Sequence, residues 1–400
     1  METSERVHAL DAVRAFALLL GVALHAAMSF VPGIGSVGWP IVDNSPSAGV
    51  GSLFFVIHTF RMTSFFVVAG FFAHMLYHRQ GAKGFWLNRA KRVLAPLVVF
   101  WPLVLPAIVA AMYLAAVKSG APLATPKPTA GTVLPFPLAH LWFLYVLLGL
   151  YALLLAMRSV LLRALPTQGQ RLRSLADAVV ARICTTPLAS TVLALPVALA
   201  LYAHPHWYAW VGIPTPDHSL LPNVPALVAF GVALSFGWLL RRQPQALNMM
   251  SRHALVYAVA AAILTSACLA MAGLTMSSAE LSGWRRAAYA LGYGAAGWCW
   301  TFAIIGAAQR FLSRPAPWRR YLADASYWIY LVHLPIVFGL QAAMQDWPLH
   351  SALKFPLVLG IAMLLLLLSY QGLVRSTWVG AWLNGRRYAR QGAVGRHRES

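Results

Sequence analysis

Acidic side chains are scarce in this sequence: 400 residues carry ten Asp and Glu against 31 Lys and Arg. None of the ten lies at the centre of an apolar stretch, and Asp11 and Asp324 only border one. That scarcity argues against an ion-coupled carrier built on buried carboxylates, and no paired catalytic carboxylates are present. Charge as a whole is low, 10% of residues, where a soluble domain has about a quarter. Cys184, Cys268 and Cys299 have neither metal-ligand spacing nor the count of a disulfide framework. A nucleophile elbow, a Walker loop and a zinc-binding HExxH helix are all missing. The histidines are dispersed without carboxylate company, so no metal is expected, although four of them could still converge in space.

What fills the chain instead is apolar. Hydrophobic residues make up 60% and mean hydropathy is +0.66. This predicts an all-α, polytopic membrane bundle. Ten stretches are long enough to span: 9–31, 51–76, 93–117, 136–157, 187–204, 222–240, 253–273, 286–309, 321–343 and 353–374. The fifth is short and carries Pro196. With the N-terminus inside, 24 Lys and Arg fall on inner segments and five on outer loops, Lys354 among the latter. The bias places both termini in the cytoplasm. Arg6 before an apolar run has the look of a signal peptide, but Asp11 and Arg14 interrupt that run, which reads as a retained first helix. Residues 1–376 form the transmembrane domain and 377–400 a basic, disordered tail. The net charge of +21 is spread over inner loops and suits anionic lipid headgroups. No module for nucleic acid is present to use it.

Within this apolar background a few ionisable residues stand out, and at membrane depth they mark function by default. Arg14 and His25 are eleven residues apart on the first helix. At about 100° per residue that returns to the same face after about three turns, roughly 16 Å along the axis. Asp11, three residues before Arg14, can pair with it. Arg14 either snorkels to the inner surface or serves as an anion site facing the bundle interior. Histidine can take a proton from a hydroxyl near neutral pH, the step acyl transfer needs from His25. His58 and Arg61 share a face of the second helix, and Gly70 beyond them allows close helix approach. His140 opens the fourth helix, where Trp142 is either part of a functional site or an ordinary interfacial aromatic. His333 lies mid-helix beside Pro335, which frees backbone groups of the kind that line cavities.

Four ordered motifs resemble the membrane acyltransferase-3 family. They are Arg14 and His25 with ten residues between them, FFVVAGFF from Phe65 to Phe72, the RxxR element Arg89–Arg92, and SYWIYLVH from Ser326 to His333. Ala69 stands where that family often has serine. HTFRM (58–62), HLWFL (140–144) and IYLVHLP (329–335) resemble a group within it proposed to succinylate periplasmic glucans. The resemblance implies a multi-pass enzyme of the bacterial inner membrane. It would move a succinyl or acetyl group from cytoplasmic acyl-CoA, a co-substrate and not a bound cofactor, to hydroxyls of a glucan or polysaccharide. On that reading Arg89, Lys91 and Arg92 meet the CoA phosphates. Arg14 guides the pantetheine arm, His25 is the general base and His333 a second candidate base. Arg61 with His58 binds a charged acyl group or an oxyanion, and His140 and Trp142 shape the sugar entrance. The rival reading is a transporter of glycan or lipid-linked sugar, which would move its substrate without changing it covalently.

Overall fold

Gly81 interrupts the longest helical run of the chain. It adopts φ 68° and ψ 179° inside a continuous stretch from Ala48 to Lys118, a conformation open to glycine because it has no Cβ. A straight helix of those 71 residues would reach about 105 Å, more than three times a bilayer core of about 30 Å. The stretch is therefore two legs, matching the second and third apolar stretches of the sequence.

In this computed structural model the described residues are 2–37, 39, 41–120, 134–165, 167–184, 186, 188–277, 280–385 and 388. Among them are thirteen α-helices: α1 (Glu2–Met28), α2 (Ala48–Arg89), α3 (Ala95–Ser119), α4 (Trp142–Ala164), α5 (Gly169–Cys184), α6 (Ala189–Ala203), α7 (Val224–Leu240), α8 (Pro244–Arg252), α9 (Ala254–Ala272), α10 (Gly283–Phe311), α11 (Pro317–Met344), α12 (Ser351–Ser369) and α13 (Trp378–Asn384). Short π-helical turns extend α2 into α3 at Ala90–Leu94 and follow α12 at Tyr370–Val374. No strand occurs among the described residues. The all-α membrane bundle expected from composition is what forms. Seven helical segments are long and apolar enough to cross a membrane, or nine if each of two bent pairs, α5 with α6 and α7 with α8, makes one span. All ten apolar stretches lie on helices. The weakest, α6, has 15 residues and reaches only about 22 Å.

The bundle is held by helices that approach to backbone contact. A Cβ added at Gly70 would meet the Leu234 carbonyl oxygen at 2.0 Å, and one at Gly237 the Val67 carbonyl oxygen at 1.9 Å. Small residues thus let α2 and α7 touch, as the sequence suggested for Gly70, because packing and not hydrophobicity drives helix association in lipid. α1 is enclosed by α2, α10, α11 and α12, which sets its polar stripe in the bundle interior.

One expectation changes. Lys354, counted from the sequence as an outer-loop cation, is fully buried. It binds Asp43 at 2.9 and 3.1 Å and Asn44 Oδ1 at 2.8 Å, since an unpaired cation there would be prohibitively costly. Beyond residue 376, α13 buries Leu383, and Trp382 Nε1 donates to the Lys91 carbonyl at 2.9 Å. Most of the tail expected to be disordered, and most of the 118–135 loop, lie outside the described residues.

Candidate active site

A cavity of about 970 Å³ opens at the end of the bundle that carries His8 of α1 and Asn384 of α13, both in its lining. Its mouth is basic: Arg14, Arg89, Arg92, Arg314, Arg319 and Arg320 line it, with Asp11 and Asp324 as the acidic members. Arg14 pairs with Asp11 at 3.2 Å and also lies 5.7 Å from the Phe72 ring centre. Arg89 stacks on Phe85 and Tyr151 at 5.5 and 5.6 Å. The Nε atoms of Arg89 and Arg319 are buried without a hydrogen-bond partner. Deeper in, Leu18, Phe65, Phe143 and Leu144 narrow the cavity with apolar surface.

Beyond that neck lies a cluster of imidazoles. His25 and His333 have ring centroids 5.2 Å apart, and His333 and His140 5.0 Å apart. Backbone carbonyls, which only accept, fix two of the rings. His333 Nδ1–H donates to the Tyr330 carbonyl at 2.8 Å, and His140 Nε2–H to the Leu331 carbonyl at 3.2 Å. Pro335 explains the second bond. It lacks the N–H that would occupy the carbonyl four residues earlier, which is that of Leu331. The opposite nitrogens, His333 Nε2 and His140 Nδ1, are left as buried lone pairs without partners. Tyr330 Oη donates to the His140 carbonyl at 2.9 Å, and Gln341 Nε2 donates to the His25 carbonyl at 2.9 Å.

Arg61 completes the cluster. A Cβ on Gly21 would lie 2.5 Å from Arg61 Nη1 and 4.0 Å from His333 Nε2, so glycine makes room for the guanidinium beside that lone pair. Arg61 has no ion pair among the described residues, and its Nε is unpartnered. His58 lies one turn along the same helix, 3.3 Å from the Tyr293 hydroxyl and stacked on Phe54. His25, His58 and Arg61 are only half-buried despite their place inside the bundle, which leaves free surface for a ligand.

Cavity and cluster follow the same helix faces. Steps of three or four residues, one helical turn, lead from Arg14 through Leu18 and Gly21 to His25 on α1. Matching steps lead from Tyr151 through Leu147 and Leu144 to His140 on α4, and from Tyr327 to Tyr330 and His333 on α11. On α2 Phe72, Ala69 and Phe65 lead to Arg61. The cavity lining itself reaches Leu18, Phe65, Leu144 and Tyr327, and the same four helix faces lead on from there to the cluster.

The residues singled out in the sequence divide accordingly. Asp11, Arg14, Arg89 and Arg92 line the cavity; His25, Arg61, His140 and His333 form the cluster with His58 at its edge. Lys91 does neither, being exposed between two arginines that face inward. Trp142 is buried and stacked on Phe230 at 5.6 Å, which makes it a packing residue. Sequence reasoning missed Arg314, Arg319, Arg320, Tyr327, Tyr330 and Gly21. The three arginines had a signal in the basic run around the start of α11, and the tyrosines in their helical spacing from His333. Among the described residues no group of three or more His, Cys, Asp or Glu is arranged to hold a metal ion.

A family model described as an acyltransferase domain matches residues 7–370. Curated relatives include proteins named glucans biosynthesis protein C from Escherichia coli (strain SMS-3-5 / SECEC), E. coli O6:K15:H31 (strain 536 / UPEC) and Shigella dysenteriae serotype 1 (strain Sd197). Each is 32% identical over 145 residues. The aligned part spans 36% of this chain and 37% of the relative's length. No solved structure matches the chain.

Proposed function

Given that this chain belongs to the acyltransferase-3 family of membrane acyltransferases, we propose that it moves a succinyl or acetyl group from acyl-CoA, entering the basic cavity from the cytoplasm, to a hydroxyl of an extracytoplasmic glucan or polysaccharide. The family supplies the reaction class, a transfer of groups other than aminoacyl groups. The donor, the acyl group and the acceptor are our reading, as are ten spans, an inner-membrane location and cytoplasmic termini. The carrying observation is that the faces of α1, α2, α4 and α11 that line the basic cavity lead on, turn by turn, to the imidazole cluster.

The arginines at the mouth suit the phosphates of a CoA thioester, which Arg recognises by paired N–H donors. The cavity volume of about 970 Å³ stands at the upper end of small-molecule sites, roughly 300–1,000 Å³. The apolar neck suits the pantetheine arm, which would run past Arg14 toward His25. There the acceptor oxygen attacks the thioester carbonyl carbon while His25 takes the hydroxyl proton. The carbon–sulfur bond breaks, and the proton passes to the leaving thiolate, giving an ester and free thiol. His333 Nε2, 4.0 Å from the Gly21 Cβ position, is the second base of the pair. The unpaired Arg61 suits the oxyanion of the tetrahedral intermediate or the free carboxylate of a succinyl group. The relatives' name, glucans biosynthesis protein C, supports a glucan acceptor.

Mass spectrometry of periplasmic and surface glycans tests this, comparing cells with and without the gene and an Arg14→Ala strain. The expected result is loss of one kind of acyl mass, succinyl or acetyl, in both the deletion and the variant. Unchanged glycan masses, with glycan held inside the cell, would favour a transporter.

A further inference from the structure

A second basic cluster lies at the same end of the bundle but outside the cavity. It is built from the inner stretch of α2, the end of α4 and the end of α7. His74 and His78, one turn apart on α2, have ring centroids 4.2 Å apart. Trp238 of α7 closes one side, 5.0 Å from His74. Arg158 of α4 donates to the Tyr77 hydroxyl at 3.3 Å and lies over the Tyr77 ring at 5.1 Å. Arg241 lies over Phe71 at 5.5 Å. Both arginines and Arg242 act electrostatically on His74, and Arg158, Arg173 and Arg242 act on His78.

The cluster has too little negative charge. Among the described residues Asp177 of α5 is the acidic residue paired in this cluster, and Arg242 takes its Oδ2 at 2.5 Å. Arg158 and Arg241 rest on aromatic faces with no carboxylate partner among the described residues. Both are half-buried, so water screens the two cations incompletely and an anion beside them would be favoured. The surface next to Arg158 is apolar and exposed: Leu153, Met157, Val160 and Leu161 all point away from the bundle. A phosphate with acyl chains attached satisfies both surfaces at once, since basic pockets between spans on the inner side suit anionic headgroups.

We propose that this cluster binds the headgroup of an anionic phospholipid. Arg158 and Arg241 hold the phosphate, His74 and His78 flank it, and the acyl chains lie along the exposed face of α4. The site shares no residue with the cavity lining, so it stands independently of the reaction assigned above.

The test is native mass spectrometry of the full-length protein purified in mild detergent and offered equal amounts of phosphatidylglycerol and phosphatidylethanolamine. The wild type should retain the anionic lipid in preference. Arg158→Gln with Arg241→Gln should lower that retention about tenfold or more and leave the zwitterionic lipid unchanged. Arg163→Gln with Arg171→Gln, at two exposed arginines on the same side, should change neither. If the double variant does not fold, His74→Asn should weaken retention in the same direction. Equal retention of the two lipids, retention insensitive to these substitutions, or displacement of the lipid by millimolar inorganic phosphate would each overturn the proposal, the last by identifying a site for free anions.

Discussion

His140 is anchored to the carbonyl of Leu331 at 3.2 Å, and that carbonyl is available because the residue four positions later is Pro335. A helix interruption in α11 thereby sets the tautomer of a histidine on α4, across 191 positions of sequence. His140 Nδ1 is left as a buried lone pair without a partner as a result.

Pro335→Ala tests that relationship. Alanine restores an N–H that competes for the Leu331 carbonyl, and it removes a residue that costs a helix interior about 3 kcal/mol. The variant should melt at the same or a higher temperature and still lose acyl transfer, by about tenfold or more. A stable variant with unchanged kcat would show that the anchored tautomer has no role.

Gly21→Ala probes the room made for Arg61. The new Cβ would meet Arg61 Nη1 at 2.5 Å, the far end of a flexible side chain, so the fold should lose no more than about 1 kcal/mol. The guanidinium would be pushed from its place beside His333, and kcat should fall with little change in donor KM. A rise in KM alone would assign Arg61 to ground-state binding.

Arg89→Gln and Arg92→Gln should each raise the KM for the thioester donor, by about tenfold, and leave kcat nearly unchanged. Lys91→Gln, at an exposed neighbour, should behave as wild type in steady-state kinetics. Equal effects at all three positions would mean general attraction by basic charge and not contact.

The buried pair Lys354–Asp43 predicts a stability effect. Lys354→Met leaves the Asp43 carboxylate buried without a counter-charge, and Asp43→Asn does the same to the ammonium, which keeps only neutral partners such as Asn44. Each should cost about 3–5 kcal/mol, read by thermal or denaturant unfolding in detergent. Combining Lys354→Met with Asp43→Leu should recover much of that loss; full additivity of the two costs would mean that the groups do not act as a pair.

Much of this arrangement is readable from residue spacing because helices repeat. Arg14 and His25 return to one face by arithmetic alone, and Gly70 announced a close approach that α7 makes. Where the sequence misled, a local pattern stood in for a tertiary fact. Lys91 lies in a basic run, yet the turn of the helix points its two arginine neighbours inward and Lys91 out. Trp142 has the position of an interfacial aromatic, but Phe230 covers it. Lys354 follows a proline-containing connection and reads as a loop cation, because its partner Asp43 lies 311 residues away. Arg314, Arg319 and Arg320 were counted toward topology, and only the fold, which brings the start of α11 and the residues before it to the cavity, makes them part of its lining.

The most direct measurement is acyl transfer by the full-length protein reconstituted in vesicles, with radiolabelled acyl-CoA confined to the side of the basic cavity and glucan on the other. The account predicts labelled ester on the glucan, and a loss of about a hundredfold or more in His25→Ala or His333→Ala protein that still folds. Glucan crossing the membrane unlabelled, or transfer undiminished in both variants, would contradict it.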